Sequence, residues 1–193
     1  MRWAWLFLAA CAVGALVSYW PRGAAEPYTG TLPVIANAPA WTLRDVDGRE
    51  VRSADFAGKV IVVDFWATWC PPCLEEIPGY IALQKKYAAQ GLVILGLSVD
   101  AAGVTVVKNF ATGHQMNYPV LMADDSTVKA FGGVSAIPTT FLIDRLGRIR
   151  HRKVGTAAPD WYDSVVASVL KEAGLAEASA ASPAATPVPA AVP

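Results

Sequence analysis

The chain has 193 residues, 54% of them hydrophobic and 17% charged, which suits one ordinary domain and leaves no room for a second full one. With 16 basic and 16 acidic side chains it carries no net charge, so no long-range field is available to gather nucleic acid or an anionic membrane. Its three cysteines are too few for a disulfide-stapled scaffold or for a closed four-thiolate zinc site.

The hydrophobic excess sits at the N-terminus. Residues 3–20, WAWLFLAACAVGALVSYW, carry no charge and lie between Arg2 and Pro21-Arg22. At 1.5 Å per residue such a helix nearly spans a bilayer core of about 30 Å. Trp3, Trp5, Tyr19 and Trp20 stand at its two ends, where amphipathic rings favour the headgroup region. Residues 1–25 therefore read as a signal anchor with a cytoplasmic N-terminus. Two alternatives stay open: a signal peptide cleaved near Gly23-Ala24-Ala25, and a lipid-modified Cys11 in Leu8-Ala9-Ala10-Cys11. Each of them exports the remainder. Residues 26–37 read as a linker and residues 38–175 as the folded domain. The tail, residues 176–193, is almost wholly Ala, Pro, Ser and Val, cannot bury enough area to offset its ordering entropy, and is expected to be disordered.

Within the domain, Ala40 to Leu43 and Glu50 to Arg52 flank the turn-rich Asp45-Val46-Asp47-Gly48 and predict a hairpin. Lys59 to Phe65 is a β-branched run of the kind buried on both faces, expected as the central strand. After Cys73, the apolar positions Leu74, Ile77, Ile81, Leu83 and Tyr87 predict a helix kinked at Pro78 and ended by Gly91. Leu92 to Val99 follows as a buried strand, then helices over Val104 to Ala111 and Ser126 to Phe131. Thr139 to Ile143 and Ile149 to Val154 bracket a turn at Asp144-Arg145-Leu146-Gly147, and a last helix runs from Asp160 to Ala173, before Gly174. The alternation implies an α/β fold, a mixed sheet with helices on both faces.

Cys70 and Cys73 lie where the central strand gives way to a helix. A zinc site would need two further ligands, and only His114 and His151 remain, without paired spacing. A purely structural disulfide would close too small a loop to restrain the unfolded chain much. Dithiol-disulfide exchange and Cu(I) carriage by two soft thiolates both remain. At a helix N-terminus the unpaired N–H groups and the macrodipole favour a thiolate, which makes Cys70 the nucleophile and Cys73, one turn inside, the resolving thiol. Pro71 and Pro72 withhold two donors from the Cys70 sulfur and leave chiefly the Cys73 N–H, which predicts a higher Cys70 pKa than a pair with a non-proline between would have.

The stretch Asp64-Phe65-Trp66-Ala67-Thr68-Trp69-Cys70-Pro71-Pro72-Cys73, followed by Ile137-Pro138-Thr139-Thr140-Phe141-Leu142-Ile143-Asp144, resembles the thioredoxin superfamily and most closely its membrane-tethered TlpA/ResA-like (DsbE/CcmG-like) branch. The resemblance covers Ala38 to Leu175 and implies a thioredoxin-like fold with an N-terminal β-hairpin and a helical insertion near residues 101–119. It implies that Pro138 is a cis-proline facing the cysteines, where the loop with Ile137 offers backbone hydrogen bonds to a peptide. Trp69, Pro71 and Pro72 would border that substrate groove, whereas Trp66 reads as core. Two acids are candidates for proton transfer: Asp64, where thioredoxins hold a buried carboxylate and many TlpA/ResA-like chains have asparagine, and Glu76, on the cysteine face of the helix. Either could be the principal base. Glu75 points elsewhere.

The resemblance further implies a thiol:disulfide oxidoreductase of the bacterial inner membrane, its domain in the periplasm, with no cofactor and no metal. Its partners would be client protein disulfides, of apocytochrome c or of a cytochrome oxidase copper-site protein, and a membrane electron donor of the CcdA/DsbD type. A peroxiredoxin-type peroxidase is disfavoured, since nothing matches its Pro-x-x-x-Thr-x-x-Cys loop. His114, Met116 and Met122 read as loop and core residues, and His151, among Arg150, Arg152 and Lys153, as part of a solvated edge strand.

Overall fold

A computed structural model describes Tyr28 and residues 30–181. The N-terminal apolar segment with Cys11, and the tail beyond residue 181, lie outside the described residues; within them no helix is long and apolar enough to cross a membrane. The described strands form one mixed sheet in the order β1-β8-β7-β4-β5-β6-β2-β3. Its middle is β4 (Val60–Trp66), parallel to β5 (Leu92–Ser98) and antiparallel to β7 (Thr139–Ile143). The β-branched run after Lys59 is buried on both faces, as its composition requires.

Alternation along β4 divides the core. Val60, Val62 and Trp66 join one cluster with Ile77, Tyr80 and Leu83 of α1 (Pro71–Tyr87), Val107 of α2 (Val104–Gly113) and Val165 and Val169 of α4 (Pro159–Ala181). Val63 and Phe65 face the other way, onto Trp41, Leu43, Phe141 and Phe131, the residue that caps α3 (Asp125–Ala130). The fold is thus the expected thioredoxin-like one, with the hairpin β2 (Thr42–Asp45) and β3 (Glu50–Arg52) and a helical insertion, α2. A 3-10 turn over Ala88–Gln90 follows α1, and Gly91, at φ 88, turns the chain into β5 through a conformation that costs glycine little. Pro78 lies inside α1, which runs on past it to Tyr87.

Four details differ from the sequence reading. Ala36–Asn37, read as linker, forms β1 and pairs with β8 (Arg148–Val154). Strand β6 (Val120–Met122) was not foreseen because three residues after a loop carry no usable period; it joins β5 to the hairpin. β8 is flanked by β1 only at Arg148 and Ile149, but His151 farther along it is not solvated. His151 packs on the ring of Trp161 in α4, 4.7 Å between centroids, and its burial lowers its pKa, with Lys153 adding to the effect. Finally, α4 does not end before Gly174 but continues through it to Ala181, although a glycine costs about 1 kcal/mol in a helix.

Candidate functional site

The carboxyl end of β4 delivers Trp66 to the loop 67–70, and Cys70 becomes the N-cap of α1 with extended backbone, φ −99 and ψ 97. Pro71 opens the helix, where its missing N–H leaves no bond unmade. The Cys70 carbonyl accepts the N–H groups of Cys73 and Leu74 at 3.0 and 3.2 Å. The Cys70 Sγ accepts the Cys73 N–H at 3.3 Å, the donor that the two prolines leave available. The two sulfurs are joined, with S–S 2.04 Å, and both residues are nearly covered, Cys70 at 3% and Cys73 at 1% exposure. Beside them Trp69 stands 64% exposed, and Pro71 and Pro72 are exposed too.

Strand β7 runs antiparallel to β4, so its first residues lie at the same end of the sheet as the cysteines. The Ile137-Pro138 peptide is cis, the Pro138 carbonyl accepts the Gly155 N–H at 2.8 Å, and Ile137 is half-buried. The loop after β5 also reaches this end. Asp100 accepts the Thr68 N–H at 2.8 Å, the Thr68 hydroxyl at 2.5 Å and the Ala102 N–H at 3.2 Å, which pins the segment two residues before Cys70.

Beneath the cysteine end lie the two acids. Asp64, 3% exposed in the middle of β4, faces Thr140 of β7, whose hydroxyl donates to Oδ1 at 3.3 Å. Burial pushes its pKa well above the usual carboxyl value, and the nearby charge of Glu76 pushes the same way, against the pull of the Thr140 hydroxyl. Glu76, 7% exposed, is no surface charge: its Oε1 accepts the Ala157 N–H at 2.9 Å, while Oε2 is buried without a hydrogen-bond partner. Burial raises the Glu76 pKa, and the Ala157 N–H and the neighbouring Tyr162 hydroxyl pull it part of the way back. Glu75 is exposed.

The structure thus brings Cys70, Cys73, Trp69, Pro71, Pro72, Ile137 and Pro138 to one end of the sheet and sets Asp64 and Glu76 below them. His114, stacked on Phe110, Met116 and Met122 are not drawn into this arrangement, and the described residues contain no cluster of three or more metal-ligating His, Cys, Asp or Glu. Trp66 is core, 1% exposed. Sequence reasoning missed Asp100, Thr140, Tyr80 and Tyr162. Tyr80 was detectable in principle, being seven residues, two helical turns, after Cys73 on the same face; Thr140 was the polar member of a buried run; Asp100 carried only its place after the second parallel strand.

The model of the AhpC/TSA family matches residues 34–152. Thiol-disulfide oxidoreductase ResA of Geobacillus thermodenitrificans is 37% identical over 121 residues, which is 63% of this chain and 69% of that protein. The Bacillus subtilis protein of the same name is 36% identical over 122 residues, 63% and 67% of the two chains. Among solved structures, a thiol:disulfide interchange protein of the thioredoxin family from Chlorobium tepidum superposes with a TM-score of 0.66 at 35% identity, over 77% of this chain and 99% of that one. A thiol:disulfide interchange protein from Bacteroides sp. gives 0.62 at 26% identity, over 72% and 92%.

Proposed function

Because the chain belongs to the AhpC/TSA family of thioredoxin-like proteins and is a thiol:disulfide oxidoreductase, we propose that it works outside the cytosol as a reductant of particular protein disulfides. The observation that carries this reading is the Cys70–Cys73 disulfide at the tip of α1, with Cys70 Sγ held by a backbone N–H and flanked by an exposed Trp69 and the cis Pro138 loop.

In the reduced form the Cys70 thiolate attacks one sulfur of a client disulfide, forms a mixed disulfide and expels the client's other sulfur as a thiolate, which takes a proton from solvent. Cys73 then gives its proton to a carboxylate, Asp64 or Glu76, and its thiolate attacks Cys70 Sγ. The Cys70–Cys73 bond forms, the second client sulfur leaves, and two electrons have passed to the client. The helix N-terminus favours Cys70 as first nucleophile, since only its sulfur sits at the N-cap. The cis Pro138 loop offers the backbone groups of Ile137 to the client chain, and Trp69, Pro71 and Pro72 form the apolar border it slides against.

An oxidising compartment requires that the pair be re-reduced by a donor dithiol, and residues 3–20 would hold the domain in the inner membrane beside a carrier of the CcdA/DsbD type. The clients of such a reductant are apocytochrome c or a copper-site protein of cytochrome oxidase. Trapping tests the assignment. With Cys73→Ser in the full chain, a client remains covalently attached to Cys70 and is released by dithiothreitol; attachment through Cys73 in a Cys70→Ser chain, with none through Cys70, contradicts it.

A further inference from the structure

Asp64 has no direct way out to water. It lies mid-strand between Gly96 of β5 and Thr140 of β7, and the Thr140 hydroxyl is its hydrogen-bond donor. That same hydroxyl oxygen is 2.9 Å from the Tyr80 hydroxyl and 3.0 Å from the Tyr162 hydroxyl. A threonine hydroxyl has one proton and two lone pairs. When it donates to the Asp64 carboxylate, both tyrosines donate to it, and its capacity is filled. When Asp64 carries a proton, the direction can reverse: Asp64 donates to Thr140, and Thr140 donates to Tyr80, a contact in which either oxygen can be the donor. Tyr80 and Tyr162 also line a half-open cavity of about 320 Å³ with Glu76, whose buried Oε2 has no hydrogen-bond partner, and with Ala157 and Pro159. The hydrogen-bonded hydroxyls therefore link the core carboxyl to two side chains that line a space solvent can enter.

We propose that Thr140, with Tyr80 and Tyr162, is the relay through which Asp64 exchanges protons with the Glu76-lined cavity, so that the cavity, and not the cysteine face, is the port for the proton moved in the resolving step. The proposal rests on the exchange reaction above and adds a route to it. The proton that leaves Cys73 arrives on Asp64. Asp64 then gives a proton to Thr140 as Thr140 gives its own to a tyrosine oxygen and that tyrosine gives its own to the cavity, to water or to Glu76. Each hydroxyl receives one proton as it yields one, no tyrosinate forms, and Asp64 returns to a carboxylate. Three observations support the direction. Buried at 3% exposure in the middle of β4, Asp64 binds a proton more readily than an exposed carboxyl and needs an acceptor beyond itself to release it. The groups facing it are Glu76 and Tyr80 of α1, Thr140 of β7, Tyr162 of α4 and Tyr118 ahead of β6, and none of them is a cation. Lys153 and Glu75 act on Glu76, at the cavity end.

The test is infrared spectroscopy of the oxidised full chain at a pH low enough to protonate Asp64, where the carboxylic-acid band of Asp64 is the one lost in Asp64→Asn. On transfer to D2O that band shifts as its proton exchanges. Thr140→Val, which keeps the shape and removes the hydroxyl, is expected to slow the shift by at least about tenfold, on the scale of a lost proton-transfer partner, and Thr140→Ser to restore it. Should Thr140→Val not fold, Tyr80→Phe with Tyr162→Phe makes the same break and is expected to slow the exchange alike. Exchange at the wild-type rate in a folded variant overturns the relay. The measurement needs no turnover, so it stands or falls apart from the exchange activity: a chain that reduces no disulfide would defeat the proposed function, and the infrared rate would still decide the route.

Discussion

Folding holds the Asp64 carboxyl where its charge is least tolerated, and this has a calculable sign. Because the folded pKa is raised, the native state keeps a proton that the unfolded chain loses above about 3.9. The contribution of Asp64 to stability is therefore whole below that pH and falls as pH rises toward the folded value. Asp64→Asn removes the loss: its Tm is expected to exceed that of the wild type at pH 8 and to converge with it near pH 4. Equal differences at both values contradict the burial assigned to Asp64. Asp100 makes the opposite case. Burial would raise its carboxyl, but the Thr68 hydroxyl and N–H, together with the Ala102 N–H, overcome that and lower it, so it stays an acceptor. Asp100→Ala is expected to cost about 1–3 kcal/mol of stability for the donors it orphans and to slow disulfide exchange through the loosened Thr68-Trp69-Cys70 segment. Asp100→Asn, which can still accept, should recover most of the rate; a rate unchanged in Asp100→Ala contradicts the role.

At the scale of elements, the start of α1 sets the reactivity of Cys70 and the attachment of α4 sets the rigidity beneath it. Pro71→Gly returns one N–H to the N-terminus of α1 beside the Cys70 Sγ, and the Cys70 pKa in the reduced chain is expected to fall, read by the pH dependence of iodoacetamide alkylation; an unchanged or higher value contradicts the part given to the prolines. Arg150 of β8 donates to Asp144 at 3.2 Å, to Glu172 of α4 at 2.8 Å and to the Leu32 carbonyl, and is itself buried. Arg150→Met removes this donor from the Leu32 carbonyl and Glu172 while Arg148 stays on Asp144, and urea unfolding is expected to show a loss of about 1–3 kcal/mol, typical of buried acceptors left without a donor. The elements that the sequence made legible are those with long periods, β4, β5, α1 and β7. The ones it hid are held by partners distant in sequence: β1 exists because Ile149 and Arg148 lie opposite Ala36 and Asn37, and β6 because both β5 and β2 pair with it. The burial of His151 is hidden for the same reason, since no local pattern shows that Trp161 of α4 will cover its ring.

Over the whole molecule, the sheet gathers at one end residues separated by about seventy positions in the chain, Cys70 from β4 and α1 and Pro138 from β7. Their motifs were legible because each is a short local pattern at the mouth of a buried strand. The polar row behind them was not, because Thr140, Tyr80 and Tyr162 are ordinary members of apolar stretches until three elements converge on one hydroxyl. The chemistry nonetheless depends on the two sulfurs. The reduced wild-type chain, mixed with insulin and dithiothreitol, is expected to speed precipitation of the insulin B chain well beyond dithiothreitol alone, and Cys70→Ser to abolish the gain; precipitation no faster with the wild-type chain than without it would contradict the assignment of Cys70 and Cys73 as an exchanging pair.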